Sequence, residues 1–208
     1  MVDSILRGLE GGVTLGQHIS HFYQDVEQMV HAACGYIMDG LHRGEAVLIV
    51  ATQAHWAKMV GKLAAMRNID LVDAVMSGQL RHIDANVVLA GLLENGMPDD
   101  SRFRERAGAL VEGALGRFGK VRIVTELAGM LGESGNRAAA LRLEDLWKGL
   151  ATRLPFTLLC TYRADACRRE YNSALDSVHN AHASMDGSRP ESREANAPQE
   201  DDPRSAKP

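Results

Sequence analysis

Residues 46–51 have the sequence Ala-Val-Leu-Ile-Val-Ala, an apolar run with no polar alternation. A run of this kind is typical of a central parallel strand that helices cover on both faces, whereas a half-exposed antiparallel strand alternates. Gly44 comes just before the run, where the C-terminal cap of a helix is expected. The segment therefore predicts a buried strand that follows a helix, which is one step of a βαβ unit.

Strands and helices alternate outward from this run in both directions. Further strands are predicted at residues 18–23, 80–84, 120–127 and 156–162, and helices at 26–43, 52–66, 71–76, 86–95, 100–118, 136–153 and 164–183. Such alternation implies right-handed crossovers and a mainly parallel sheet between two layers of helices. We predict an α/β fold with a sheet of five strands, or slightly more, flanked by helices.

Two helix starts carry recognisable caps. Asp25 is followed three residues later by Gln28, a variant of the capping box that satisfies free backbone amides. Thr52 occupies the cap position of the next helix, which is predicted to bury Trp56, Val60 and Leu63 on one face. Both caps place a helix start directly behind the carboxyl end of a strand.

The composition excludes several classes of protein. The chain of 208 residues has a formal net charge of −4, so it lacks the basic footprint expected for direct nucleic-acid binding or an anionic membrane. No apolar run reaches the roughly 18 residues of a membrane-spanning helix, and residues 1–8 have no signal-peptide pattern. Three cysteines without a C-x-x-C pair argue against a disulfide framework. A cytoplasmic location is predicted.

The chain divides into three parts. Residues 1–13 are predicted to be an irregular lead-in, residues 14–185 one domain, and residues 186–208 a disordered tail. The tail holds four of the six prolines and has no aromatic residue and no Val, Ile or Leu, so it cannot bury enough apolar surface to become ordered.

Ligands of open α/β sheets bind outside the carboxyl ends of the strands. The predicted ligand contacts at these ends are His21, Phe22, Tyr23, Asp84, Glu126 and Tyr162, with Thr52 and Arg163 beside them.

Each of these residues also has a structural interpretation. A carboxylate such as Glu126 at the end of an apolar strand needs a partner. Three partners are possible from the sequence: His21, a cationic ligand or solvent. His21 is either part of a hydrogen-bonded network or a pH-sensitive contact. Tyr23 and Tyr162 either form the walls of an apolar pocket or belong to the core.

No metal site and no cofactor are predicted. His18 and His21 differ by three positions along a strand, which puts them on opposite faces of the sheet. His179 and His182 share a helix face but lack a third ligand.

Five pieces of the sequence, in order, resemble one family. They are His-x-x-His-Phe-Tyr at 18–23, Gly-Leu-x-x-Gly-Glu-Ala-Val-Leu-x-x-Ala-Thr at 40–52, Ser-Gly-Gln-Leu-x-x-x-Asp-Ala at 77–85, Arg-Leu-Glu-Asp-Leu-Trp at 142–147 and Leu-Cys-x-Tyr at 159–162. Together they resemble the MEDS family, a methanogen and methylotroph sensory domain of bacterial and archaeal signalling proteins. The resemblance covers roughly residues 14–184.

Within these pieces, Asp25, Gly44 and Glu45 are interpreted as structural positions near the first helix and second strand. On the later helix, Trp147 is expected in the core, and Arg142 and Glu144 are expected to form structural ion pairs.

The first 85 residues also resemble the opening of RecA/KaiC-type ATPase domains, which implies a RecA-like three-layer sandwich. The position of the phosphate-binding loop is occupied by residues 23–28, Tyr-Gln-Asp-Val-Glu-Gln. This turn has no glycine and no lysine but two carboxylates, so it lacks the amides and the cation that hold a triphosphate. The resemblance therefore implies a degenerate P-loop without ATP hydrolysis.

The family resemblance implies a non-catalytic sensory module that binds a small organic effector and regulates a signalling partner, such as a histidine kinase or a transcription regulator. Binding would shift the turn at 21–28 and alter an outer surface. An alternative is a pseudo-ATPase that docks onto proteins without any small ligand, as a dimer or other homo-oligomer. A third is a residual nucleotidase that uses Glu126.

Overall fold

The computed structural model describes residues 17–66 and 69–165. The predicted lead-in, the predicted helix beyond Asp165 with His179 and His182, and the predicted tail lie outside these residues. The strands are β1 (His18–Tyr23), β2 (Ala46–Ala51), β3 (Leu80–Asp84), β4 (Leu93–Glu94), β5 (Met97–Pro98), β6 (Val121–Thr125) and β7 (Phe156–Arg163). The helices are α1 (Val26–His42), α2 (Gln53–Met66), α3 (Leu71–Met76), α4 (Ala85–Leu92), α5 (Asp100–Phe103), a π-helical turn (Arg104–Gly108), α6 (Ala109–Phe118), α7 (Leu127–Glu133) and α8 (Arg137–Ala151).

The main sheet has five parallel strands in the order β1-β7-β6-β2-β3. This confirms the predicted α/β class with a parallel five-stranded sheet. The chain moves from β1 to β2 to β3 toward one edge and then returns through β6 to β7. Because parallel crossovers are right-handed, the two directions of travel place their helices on opposite faces of the sheet.

Two apolar clusters occupy the two faces. One lies under α1, α2 and α3 and includes Met29, Ile37, Ile49 and Val124. The other lies under α4 to α8 and includes Leu48, Phe103, Ile123 and Trp147. Every residue of β2 is buried, as expected for a central strand with helices on both sides.

The first helix begins and ends as its sequence predicts. The Asp25 side chain accepts a hydrogen bond from the Gln28 amide at 2.9 Å, and the Gln28 side chain accepts one from the Gln24 amide at 3.0 Å. At the other end Gly44 has φ of +72°, a conformation that glycine adopts without strain.

Several predicted boundaries are wrong. The helix predicted at 86–95 ends at Leu92, and a two-stranded hairpin of β4 and β5 follows it. The predicted strand 120–127 ends at Thr125, and an unpredicted helix, α7, begins at Leu127. Val60, predicted on the buried face of α2, is 36% exposed, whereas Met59 and Leu63 are buried.

Arg122 forms a buried ion cluster at the amino-terminal end of the sheet. Its guanidinium group donates to Glu45 and lies 2.6 Å from Asp39 Oδ2, and it packs over the ring of Tyr36. Gly40 makes room for this side chain, because a Cβ atom there would lie 2.8 Å from Arg122 Cδ. The cluster joins α1 to β2 and β6.

Cys34 and Cys160 are buried and unpaired by disulfide. Burial raises the pKa of the Cys34 thiol to about 11, so it behaves as a small apolar group.

No helix among residues 17–66 and 69–165 combines the length and the apolar character that crossing a bilayer requires.

Candidate functional site

The direction of the chain reverses between β2 and β6, which are neighbours in the sheet. From β2 the chain continues outward through α2 to β3, and from β6 it continues the other way through α7 and α8 to β7. The two following helices therefore diverge beyond the carboxyl ends of these strands and leave a crevice. In open α/β sheets this switch point is the usual place of a ligand site.

A pocket of about 300 Å³ occupies this crevice. Its lining comes from β1, β7, and the segments that follow β2 and β6: Tyr23, Thr52, His55, Glu126, Gly129, Met130, Glu133 and Thr161. The volume lies at the lower end of the range for small-molecule sites, so a small ligand fits it best.

Glu126 joins the two strands at the switch point. One oxygen of its carboxylate accepts a hydrogen bond from the Thr52 amide, and its own amide donates to Val50 O at 3.2 Å. The side chain is 5% exposed. A carboxylate buried to this extent needs such donors, because losing water without replacement costs several kcal/mol, on the order of 2–7 for a polar group.

His55 provides the second partner of the Glu126 carboxylate. Its Nδ1 lies 2.5 Å from Glu126 Oε2. This hydrogen bond raises the pKa of His55 above its ordinary value, although burial opposes the shift. His55 is held in the first turn of α2, where its amide donates to Thr52 Oγ1 at 3.4 Å.

A second carboxylate and a phenol complete the polar lining. Burial raises the pKa of Glu133, and nearby Asp165 and Glu126 act in the same direction while Arg163 opposes them. Burial, together with Glu133 and Glu126, also raises the pKa of Tyr23, so its hydroxyl stays protonated. Glu126 and Glu133 give the pocket negative charge, which the His55 ring offsets in part, so the lining suits a neutral or cationic guest better than a phosphate group.

Gly129 sets the distance between α7 and β7. A Cβ atom at this position would lie 2.5 Å from the backbone oxygen of Thr161. Only glycine therefore allows α7 to pack this closely against β7, and this contact fixes one wall of the pocket.

The structure places three of the predicted strand-end residues together. Tyr23 and Glu126 line the pocket, with Thr52 beside them. Glu126 pairs with His55 and not with His21.

His21 lies outside the pocket on β1, opposite Thr161 in register. Its side chain is 5% exposed, and burial lowers its pKa, an effect that the backbone of Gln28 partly offsets.

The other predicted contacts lie elsewhere. Phe22 stacks on Tyr162 with ring centroids 5.3 Å apart, on the face of the sheet covered by α7 and α8. Tyr23 and Tyr162 consequently lie on opposite faces and do not form one pocket wall. Asp84 caps α4 by accepting from the Asn86 amide at 2.8 Å, at the edge strand β3. Arg163 pairs with Asp165.

The residues interpreted as structural have clear roles, with one exception. Asp25 caps α1, Gly44 ends it, and Glu45 binds Arg122. Trp147 is buried in the core against Phe103 and Phe156. Glu144 is buried, and Tyr162 donates a hydrogen bond to it. Arg142 is exposed and makes no ion pair with the described residues, so its ion pair stays a prediction.

Five lining residues were not anticipated: His55, Gly129, Met130, Glu133 and Thr161. Three of them belong to α7. The sequence did not predict this helix, because the apolar pattern of residues 120–127 favours one long strand that includes the start of α7. Thr161 precedes Tyr162, and strand alternation makes it the residue on the pocket side. His55 lies three residues after the cap Thr52. On a helix this spacing places its side chain near Thr52 and the end of β2, so the sequence did contain a signal for it.

No curated protein matches the chain. A family model does match it over residues 17–183, which is more than half of the sequence, and that family is described as MEDS, the methanogen/methylotroph, DcmR sensory domain. The match includes all the strands and helices described above, together with the pocket at the switch point. The chain therefore belongs to the MEDS family of sensory domains.

Proposed function

We propose that this domain is a non-catalytic sensor that binds a small organic effector in the pocket between β2 and β6 and regulates a signalling partner. The family supports a sensory role. The observation that carries the effector proposal is the pocket of about 300 Å³ at the switch point of the sheet. Its carboxylates favour a neutral or positively charged organic molecule over a nucleotide.

The pocket residues contact the starts of two helices. Glu126 binds both Thr52 and His55, so an effector that bonds to this carboxylate competes with the contacts that fix the start of α2. Tyr23 stands directly before the turn that leads into α1. An effector would shift the domain between two states only if it binds one of them more tightly.

The partner is proposed to be a protein of a signalling pathway, such as a histidine kinase or a transcription regulator. It would bind the domain differently once α1 and α2, which flank the pocket on one face, have changed position.

A thermal-shift screen tests the effector proposal. The panel contains small neutral and cationic organic molecules, with ATP and inorganic phosphate as compounds that should not bind. A ligand at 100 times its dissociation constant stabilises the folded state by about 2.7 kcal/mol, which raises the melting temperature by several degrees. Hits are then measured by calorimetry.

Variants locate the binding site. Met130→Trp fills the pocket, and Glu133→Gln removes one of its charges, so both should weaken binding. Glu105→Gln, at an exposed position of the π-helical turn, is the matched control and should bind as the wild type does. Equal binding by all three variants would place the effector elsewhere. A protein that none of the panel stabilises would favour the docking alternative.

A further inference from the structure

A second polar cluster lies on the opposite face of the sheet, away from the pocket. His18 on β1, Glu144 on α8 and Cys160 on β7 converge so that one ligand atom of each lies within 4.8 Å of the others. His18 is 9% exposed, Glu144 3% and Cys160 1%. Tyr162, on the same face of β7 as Cys160, donates a hydrogen bond to Glu144 Oε1.

Hydrogen bonding alone does not satisfy this cluster. His18 Nε2 lies 3.1 Å from Cys160 Sγ and 3.2 Å from Glu144 Oε2. One ring nitrogen offers either one proton or one lone pair, so it cannot serve both neighbours fully. The approach of Glu144 Oε2 lacks hydrogen-bond geometry, and this buried oxygen has no hydrogen-bond partner among the described residues.

Ser20 adds a further unsatisfied oxygen near this cluster. It pairs with Cys160 in the sheet register and, two residues after His18, points to the same face of β1. Its hydroxyl is buried without a hydrogen-bond partner in the part of the chain that the structure describes. Buried polar atoms are almost always satisfied, so two exceptions at one place indicate a missing partner.

A thiol, an imidazole and a carboxylate also suggest a nucleophilic triad, but the geometry does not fit. In a triad the histidine contacts the nucleophile with one ring nitrogen and the carboxylate with the other. Here the thiol and the carboxylate both face Nε2. In addition, the sulfur is almost fully enclosed and no substrate can reach it.

The same convergence suits a metal ion. We propose that His18 Nε2, Glu144 Oε2 and Cys160 Sγ bind one divalent transition metal of the zinc type. Nitrogen, sulfur and oxygen donors are the zinc set, and separations of 3.1 and 3.2 Å between donor atoms are close to those around a tetrahedral ion. A thiolate and a carboxylate together neutralise the two positive charges, so the buried site has no net charge.

Tyr162 orients the site. Its hydroxyl holds Glu144 Oε1 and so directs Oε2 toward the other two ligands, as outer-shell hydrogen bonds do in zinc proteins. Three protein ligands leave one tetrahedral position for a non-protein ligand such as water.

The site would connect distant parts of the chain. His18 and Cys160 are 142 positions apart in sequence, and Glu144 brings in α8. The bound metal would therefore fasten the edge strand β1 to β7 and to the helix above it. None of its three ligands lines the proposed effector pocket.

Cobalt substitution tests the proposal on the full chain. The purified protein is reduced with a phosphine, treated with a chelator, dialysed and titrated with Co²⁺. We expect a near-ultraviolet thiolate-to-cobalt charge-transfer band and strong visible bands of a tetrahedral site, saturating at about one ion per chain. Zn²⁺ should displace the cobalt, abolish the bands and raise the melting temperature.

Variants assign the ligands. Cys160→Ser should lose the charge-transfer band, whereas Cys34→Ser, which changes the buried thiol on the other face, should keep it. Cys167→Ser should also keep it; this cysteine lies outside the described residues. Tyr162→Phe leaves all three ligands in place, so the band should persist while the affinity for cobalt falls about 10–100-fold.

Clear results would overturn the proposal. A folded wild-type protein that shows no thiolate band with Co²⁺ and no rise in melting temperature with Zn²⁺ has no such site. A band that survives in Cys160→Ser, or that disappears in Cys167→Ser, puts the metal on another thiol. If Cys160→Ser does not fold, the wild-type titration and Tyr162→Phe still decide the matter. Glu133→Gln, a pocket variant, should bind cobalt normally.

Discussion

Glu126 holds the carboxyl ends of β2 and β6 in their relative positions. Its carboxylate binds the Thr52 amide and the His55 ring, and its amide donates to Val50 O. The divergence of α2 and α7 opens the crevice, and this one side chain crosses it at its base. A ligand that reaches the carboxylate thus reaches both walls of the pocket through a single residue.

The pair of His55 and Glu126 should make stability depend on pH. Because the hydrogen bond raises the pKa of His55 in the folded protein, the contribution of the charged ring is complete below the unfolded pKa of about 6.5. It is lost as the pH rises through the higher pKa of the folded state. The difference in melting temperature between the wild type and His55→Gln should therefore be largest near about pH 6 and shrink at higher pH.

The matched control for this comparison is His31→Gln, at an exposed position of α1. Its melting temperature should follow that of the wild type across the same pH range. A difference between the wild type and His55→Gln that widens as the pH rises would contradict the assignment.

Sequence reasoning found some site residues and missed others for physical reasons. Glu126 was found because a carboxylate that ends an apolar strand stands out without any knowledge of its partner. Its actual partner, His55, comes from a different element, and pairings between elements depend on the order of strands. Glu144 and Cys160 were likewise each noted alone, because nothing local shows that they meet His18.

At the scale of elements, boundaries failed where two patterns overlap. Residues 127–133 contain two glycines and continue the apolar run of β6, so neither a strand end nor a helix start was visible. The hairpin of β4 and β5 did have a signal. Asn95 and Gly96 both adopt positive φ, and an Asn-Gly pair is typical of such two-residue turns.

Gly129 should be intolerant of any side chain. In Gly129→Ala the new Cβ would meet the backbone oxygen of Thr161 at 2.5 Å, and backbone cannot rotate away as a side chain does. We expect α7 to move away from β7, with a loss of about 1–3 kcal/mol in the free energy of unfolding. Urea denaturation measures this loss.

Gly113→Ala is the control for this substitution. Gly113 lies within α6, and a Cβ atom there would meet nothing within 4 Å. Alanine is a better helix former, so this variant should gain about 0.5–1 kcal/mol. A gain in both variants would show that α7 does not pack as closely as described.

The ion cluster at the other end of the sheet acts between elements. Arg122→Met removes the cation that pairs with Glu45 in the described part of the chain, so the Glu45 carboxylate loses its compensation for lost water, whereas Asp39 keeps its ion pair with Arg43. Breaking a buried pair from one side costs about 3–5 kcal/mol. Arg81→Met, at an exposed position of β3, should change stability by less than about 0.5 kcal/mol. Similar unfolding curves for the two variants would be the contradicting result.

For the molecule as a whole, the order of the strands predicts where it opens first. β7, β6 and β2 have a hydrogen-bonded neighbour on both sides, whereas β1 and β3 are edges. Edge strands expose unpaired backbone groups and open at lower free energy than central ones. In chelator-treated protein, hydrogen exchange measured by mass spectrometry should therefore be faster in peptides from β1 and β3 than in those from β2 and β6.

The two edges should then respond differently to zinc. His18 anchors β1 to the proposed metal site, whereas β3 contributes no ligand to it. Adding Zn²⁺ should slow exchange in β1 and leave β3 unchanged, and Cys160→Ser should remove this difference between the edges. Equal slowing of both edges would indicate general stabilisation by zinc bound elsewhere. A ligand in the pocket at the switch point should give another pattern, with slower exchange at the start of α2 and in α7, because these helices contribute His55, Gly129, Met130 and Glu133 to the pocket lining.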